Sequence, residues 1–262
     1  MILPQNRMHI RPRPHRLHVG GAMIERSRPG KDRMRLSVII PIYNERNTLE
    51  TLVSRVEAVD LGNIEKEILL VDDGSTDGTR DILKRYEGRP GFQVLLHRKN
   101  GGKGRAVRTG IEHFTGDIVI IQDADLEYDP EDFPEMLKPI LQGKADVVFG
   151  SRFKGAGRAF LAHHYYGNKL ISFLANILYN TCLSDIETCY KAFRREVFQK
   201  VRLRSNSFTI EPEITAKVFK NKFRVYEVPI SYAGRDFSEG KKITWKDGFL
   251  ALWALLRFRF FD

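Results

Sequence analysis

Residues 118–130, IVIIQDADLEYDP, carry an apolar stretch straight into four carboxylates: Asp123, Asp125, Glu127 and Asp129, each two positions from the next. Two unit charges about 4 Å apart repel by ~1 kcal/mol in water and ~4 kcal/mol at an effective dielectric of about 20. Such a cluster needs a partner. Hard oxygen ligands suit a divalent cation, Mg²⁺ or Mn²⁺, held by one or two protein carboxylates and completed by water and substrate phosphates. The alternative is a solvated acidic turn, with Asp129 capping a helix that begins at Pro130. Asp129 takes that second role. For Asp123 and Asp125 the cation is preferred, because a second polar loop, DDGSTDGT (72–79), closes another apolar run. In that loop Gly74 makes a tight turn and Ser75, Thr76 or Asp77 serves as a helix cap. This leaves Asp73 at the end of the run, where a nucleotide base or ribose would be hydrogen-bonded.

These groups must be positioned by the elements that precede them. LSVIIPI (36–42), EILLVDD (67–73), FQVLLH (92–97), DIVIIQD (117–123) and ADVVFGS (145–151) are short, nearly continuous apolar runs, the pattern of strands buried on both faces. Between them lie segments with helical spacing, such as Leu49, Leu52, Val53 and Val56. Alternating strands and helices with short connections predict an α/β fold, a mostly parallel sheet with helices on both faces. Ligands of such sheets bind at the carboxyl ends of the strands. Here those ends read PIYNE, DDGSTD and DADLE. Beyond residue 151 the alternation stops. FLAHHYYGNKLISFLANILYN reads as a helix, FRVYEVPISY (223–232) as a strand, and WKDGFLALWALLRFRFF closes the chain.

Of 262 residues 42% are hydrophobic and 29% charged, as in an ordinary globular protein. The net charge of +10 is uneven: nine Lys/Arg face two acids through Arg35, and the remainder holds 34 bases and 31 acids. Residues 1–35, with Pro at 4, 12, 14 and 29, are expected to form a disordered basic tail. No nucleic-acid partner is expected of the nearly neutral remainder. Two cysteines make neither a disulfide scaffold nor a zinc site. With no apolar secretory leader and no run of the roughly 18–20 apolar residues that span a bilayer, the expectation is a cytoplasmic location.

SVIIPIYNE, LLVDDGSTDGT, NGGKGRAVRTGI, DADLEYDPED and VVFGSRF stand in the order and spacing of the family 2 glycosyltransferases with a GT-A (Rossmann-like) fold. Within that family the chain most resembles the dolichyl- and polyprenyl-phosphate mannosyl- and glucosyltransferases. The resemblance spans residues 36–242, leaving 243–262 as a closing amphipathic helix. It implies that Pro41, Tyr43 and Glu45 line the nucleotide, with Val71 and Asp73 at the base and ribose and Ala124 beside them. Asp123 and Asp125 become the DxD-type site for metal and diphosphate. Glu127, where relatives often carry Gln, is the third ligand. Arg152 faces the sugar-transfer centre, and Arg235 and Lys241 grip phosphate.

The implied reaction is metal-dependent, inverting transfer of a hexose from a nucleotide-diphosphate sugar, of GDP-mannose or UDP-glucose type, to a polyprenyl or dolichyl phosphate. A phosphate monoester is largely dianionic near neutral pH, so this acceptor needs positioning more than a base. The aromatic and basic content of the two late helices suits a membrane interface; core packing of a terminal helix is the alternative. Peripheral attachment to the cytoplasmic face is expected, directly or through a membrane-protein partner. Two rivals stand beside it. One is transfer to a hydroxyl of a glycan or small molecule, with Glu187 or Glu211 as base. The other is a non-catalytic nucleotide-binding protein whose basic tail binds membrane or nucleic acid. Lys103 and Arg108 are read as surface charge, with phosphate contact the alternative. Thr188, Cys189 and Lys191 fall in a family pattern near the acceptor. The pair His163 and His164 is assigned no metal.

Overall fold

A computed structural model describes residues 33–157, 162–234 and 245–261. Most of the expected basic tail, Arg235 and Lys241, and the boundary between 242 and 243 lie outside the described residues.

Seven strands form one sheet: β1 (Arg35–Ile42), β2 (Glu65–Asp72), β3 (Phe92–Leu96), β4 (Ile118–Ile121), β5 (Val147–Ser151), β6 (Lys191–Arg194) and β7 (Val225–Pro229), in the order β3-β2-β1-β4-β6-β5-β7. Every pairing is parallel except the two made by β6, which runs antiparallel between β4 and β5. The helices are α1 (Leu49–Ala58), α2 (Thr79–Leu83), α3 (Lys103–His113), α4 (Phe133–Leu141), α5 (Ala162–Tyr179), α6 (Val197–Lys200), α7 (Ile210–Lys220) and α8 (Trp245–Phe260).

Alternation along β1 explains why its sequence is apolar from Val38 to Ile42. Val38, Ile40 and Ile42 join one core cluster with Leu49, Leu52, Val53 and Val56 of α1, while Ile39 points to the other face and packs with Leu69, Val71, Ala106 and Val119. A strand covered on both sides holds a polar residue only where it is hydrogen-bonded, as the buried Ser37 is to Glu67 of the next strand. Asp129 caps a short 3-10 turn, Pro130–Asp132, by accepting from the Glu131 amide at 3.2 Å, and that turn runs into α4.

The two late helices each bury one set of apolar residues and expose another. On α8, Ala251, Ala254, Leu255 and Phe258 are buried, while Leu250, Trp253, Leu256 and Phe260 are exposed. On α5, Ile171, Ser172, Ala175 and Tyr179 are buried, and Tyr166, Leu170, Phe173 and Ile177 form an exposed stripe. The Tyr179 hydroxyl donates to the Leu255 carbonyl at 2.7 Å and ties the pair together. Among the described residues no helix is long and apolar enough to cross a membrane.

Candidate active site

The sheet register assembles the site. β1, β2 and β4 are parallel neighbours, so PIYNE, DDGSTD and DADLE leave the sheet at one edge. Ile39 pairs with Ile121 and Pro41 with Val71, which carries Asp123 out at the level of Pro41 and Val71. The antiparallel β6 brings its beginning to this same edge. Ile121 faces Lys191, so the residues preceding Lys191 run back alongside Gln122 and Asp123. The sequence signal for that strand is four residues, KAFR, too few to carry a strand period of their own.

Asp123 sits among unlike partners. Lys103 Nζ lies 2.8 Å from its Oδ1 and 3.0 Å from its Oδ2, and the Cys189 thiol donates to Oδ1 at 3.0 Å. Lys103 is therefore not surface charge, as its place at a helix start had suggested; its side chain is 14% exposed. Burial alone would lower its pKa, but the carboxylates of Asp123 and Glu211 hold it well above the usual lysine range. Burial pushes the Cys189 thiol well up, so it stays protonated. Asp125 accepts from the Glu127 amide at 3.1 Å across a turn in which Leu126 takes φ +63°, a conformation unusual for a bulky residue. Glu127 accepts from the Tyr232 hydroxyl at 2.7 Å.

Among the described residues no three His, Cys, Asp or Glu side chains form a ready cage for an ion. The donor set nonetheless fits a divalent ion of the kind that substrate phosphates complete. Asp123 and Asp125 are half-buried hard carboxylates at the sheet rim, and the nearby sulfur is a neutral thiol rather than a competing soft ligand.

Asp73 is 2% exposed, and its oxygens accept from the Gly101 and Gly102 amides at 2.6–3.0 Å and pair with His97 Nδ1 at 2.7 Å. The carboxylate expected beside base and ribose is thus engaged in pinning the turn before α3. Gly102 is required there: at φ +95°, a Cβ would sit 2.3 Å from the Asn206 carbonyl oxygen. Val71 and Ala124 are buried, Glu45 is 9% exposed with its carboxylate accepting from the Thr48 hydroxyl, and Tyr43 is exposed beside the half-buried Pro41.

Arg152 follows β5 and is buried. It makes a two-pronged pair with Asp185, at 2.7 and 2.8 Å, and its guanidinium lies 5.3 Å from the Tyr232 ring centre. Burial alone would lower its pKa, but Asp185 raises it well above the ordinary arginine value. Tyr232 thereby links Arg152 to Glu127. Arg108 reaches the Asn206 side chain.

Behind Asp123 lies a second charged group. Lys191 is fully buried, donating to the Ile186 and Thr188 carbonyls and to Glu211 Oε2. Glu211 Oε1 is buried with no hydrogen-bond partner and lies 3.6 Å from Lys103 Nζ. Glu187 also has a buried oxygen without a hydrogen bond, and burial together with Glu211 pushes its pKa up to about 7. Glu187 and Glu211 were candidates by residue type alone. Their gathering with Lys103, Lys191 and Asp123 depends on β6 and α7 and left no mark in local sequence.

Known proteins share this frame. A family model, Glycosyl transferase family 2, matches residues 37–202. The chain is 34% identical over 215 residues to a dolichol-phosphate mannosyltransferase of Pyrococcus furiosus, covering 79% of this chain and 59% of that protein. It is 34% identical over 209 residues to an undecaprenyl-phosphate 4-deoxy-4-formamido-L-arabinose transferase of Edwardsiella ictaluri, covering 79% of this chain and 62% of that protein. The chain thus spans about three-fifths of the length of these curated relatives. Among solved structures, glucosyl-3-phosphoglycerate synthase of Mycobacterium tuberculosis, crystallised with Mn²⁺, UDP and phosphoglyceric acid, superposes with a TM-score of 0.68 at 19% identity, over 87% of this chain and 80% of that one. The architecture is the GT-A fold that the motifs implied.

Proposed function

Because the chain belongs to glycosyl transferase family 2, we propose that it transfers a hexose from a nucleotide-diphosphate sugar to a polyprenyl phosphate at a membrane surface, with inversion and with Mg²⁺ or Mn²⁺. The observation that carries this is the emergence of Asp123 and Asp125 at the same sheet edge as Pro41, Tyr43 and the Asp73 turn. That edge is where an α/β sheet binds a nucleotide. The names of the curated relatives support the lipid-phosphate acceptor.

In this reading Asp123 and Asp125, with Glu127 beside them, would hold the divalent ion, which when bound supplies Lewis-acid stabilisation of charge on the departing diphosphate. Pro41, Tyr43 and Glu45 line the nucleotide. Asp73 acts through the Gly101–Gly102 turn that it pins, fixing the start of α3. Arg152, held rigid by Asp185, sets the position of Tyr232 and through it the Glu127 carboxylate. Arg235 and Lys241, assigned by resemblance, grip phosphate. An acceptor phosphate that arrives as a dianion attacks the anomeric carbon directly and needs no base.

Attachment to the membrane is peripheral, through the exposed faces of α5 and α8. Their apolar stripes and the exposed Arg257 and Arg259 match an interfacial helix pair facing anionic lipid. The proposed side is the cytoplasmic one.

The test is direct. The protein is incubated with Mn²⁺ and a panel of nucleotide sugars, with and without a short polyprenyl phosphate, and products are identified by mass. A glycosylated lipid phosphate is expected, and Asp123→Ala is expected to lower its formation on the order of 10²–10³-fold. Sugar on hydroxyl acceptors only would favour the rival transferase. No turnover with any donor would return the chain to a binding role.

A further inference from the structure

Lys103 occupies the carboxylate that the metal–diphosphate reading assigns to a dication, and the inference drawn from this rests on that reading. The ammonium lies within 3.0 Å of both Asp123 oxygens. A dication on the same carboxylate would be a like charge close to this ammonium in a half-buried site, where such charges repel far more strongly than in water. One of the two cations must yield.

The surroundings determine which way the lysine goes. Its backbone is fixed: the turn before it is pinned by Asp73, and Gly102 is packed against the Asn206 carbonyl. Its four-carbon stem has rotatable bonds, and Nζ needs only a short shift to reach Glu211 Oε1. Glu211 Oε1 waits 3.6 Å from Nζ, buried and without a hydrogen bond. The other oxygen of Glu211 is already held by Lys191. A buried carboxylate oxygen left unsatisfied is costly, and an arriving ammonium satisfies it. Asp123 meanwhile keeps its hydrogen bond from Cys189.

We infer that Lys103 is a displaceable counter-ion: it guards Asp123 while the site lacks donor, and it swings onto Glu211 Oε1 when the divalent ion arrives with the diphosphate. Lys103 is thus a positioning residue that couples ion binding to donor binding. It keeps the affinity of the donor-free site for bare ions low and confines tight ion binding to the donor complex.

The experiment measures free Mn²⁺ by electron paramagnetic resonance in titrations of the full chain without nucleotide. Lys103→Met removes the competitor and is expected to bind Mn²⁺ about tenfold more tightly than wild type. Lys103→Arg, which grips a carboxylate with two prongs, is expected to bind it about threefold or more weakly. Equal or weaker Mn²⁺ binding by Lys103→Met overturns the inference. If that variant does not fold, Lys103→Gln replaces it, judged by the same sign. Asp123→Asn, titrated in the presence of UDP or GDP against a protein-free control, separates the two levels. If it binds Mn²⁺ as wild type does, the metal reading itself fails. If it loses Mn²⁺ while Lys103→Met leaves affinity unchanged, the lysine inference alone fails.

Discussion

Cys189 Sγ lies 3.0 Å from Asp123 Oδ1 because β6 enters the sheet backwards. The pairing of Ile121 with Lys191, extended by two residues on each strand, sets these two side chains opposite one another. An antiparallel strand beside a parallel one brings its beginning to the edge where its neighbour ends. One inserted strand therefore delivers the Cys189 thiol and the segment bearing Asp185 and Glu187 to a rim that parallel strands alone would line with loops.

That placement predicts unequal cysteines. Cys189 is buried and its thiol is held protonated by burial and by Asp123, whereas Cys182 is exposed. The thiolate is the species that alkylates. Brief iodoacetamide treatment of the native protein, read by peptide mass, is expected to label Cys182 and leave Cys189 unmodified. Labelling of Cys189 at the same rate would mean that the thiol does not sit against Asp123.

Glu187 predicts a pH dependence. Burial and the neighbouring Glu211 raise its pKa to about 7, against the lowering influence of Lys191 and Arg152. The folded state then holds a proton that the unfolded chain has released. The contribution of this group to stability is full below the unfolded carboxyl range, declines as pH rises towards 7, and stays low above it. Glu187→Gln is expected to flatten that decline: its melting temperature should exceed that of wild type at pH 8, with the gap closing at pH 5. The same variant separates the acceptors. With a polyprenyl phosphate its transfer rate should stay within a few-fold of wild type. With a hydroxyl acceptor a missing base would cost about 10²–10⁴-fold.

Arg152 and Asp185 are buried together, so breaking the pair from one side should cost more than removing both charges. Arg152→Met leaves a fully buried carboxylate and is expected to destabilise by about 3–5 kcal/mol, a fall in Tm on the order of 10 °C. Arg152→Met combined with Asp185→Asn keeps an acceptor for the Arg152 amide, which bonds Asp185 at 3.1 Å in the native chain. The double variant should melt above either single one. Thermal melts of the four proteins check the ordering, and a double variant that melts lowest would refute a charge-pair origin.

The contrast between what was legible and what was not follows from the range of the forces involved. β1, β2 and β4 announce themselves because a strand buried on both faces is apolar along most of its length, and their polar ends follow from the architecture. Asp129 as a cap is likewise local, a carboxylate one residue before a proline. Lys103 misleads for the opposite reason. A lysine among glycines at a helix start looks solvated, and only the tertiary fold, with Asp123 beyond β4 and Glu211 on α7, reveals that both acids converge on it. β6 hides because four residues with two charges carry no period of their own. Their burial is imposed by β4 and β5, and the Lys191 charge is satisfied by Glu211 twenty positions away.

The exposed stripes on α5 and α8 supply the last prediction. A core helix shows its apolar face inward and polar groups outward; these two show apolar groups on both sides. Phe173 and Trp253 are 60% and 56% exposed, so neither contributes much packing to the fold. Burying an aromatic side chain of this size in an interface contributes about 1.5–3 kcal/mol. Replacing both with Glu therefore removes several kcal/mol of membrane affinity and adds like-charge repulsion from anionic headgroups. The double variant Phe173→Glu, Trp253→Glu should sediment with phosphatidylglycerol-containing vesicles at least tenfold less than wild type, with a thermal melt within a few degrees of it. Wild-type binding should weaken as salt screens Arg257 and Arg259, without vanishing, because the apolar share is not screened. Undiminished vesicle binding by the double variant would assign the attachment to another surface, and a large loss of Tm would show that these side chains serve the core instead.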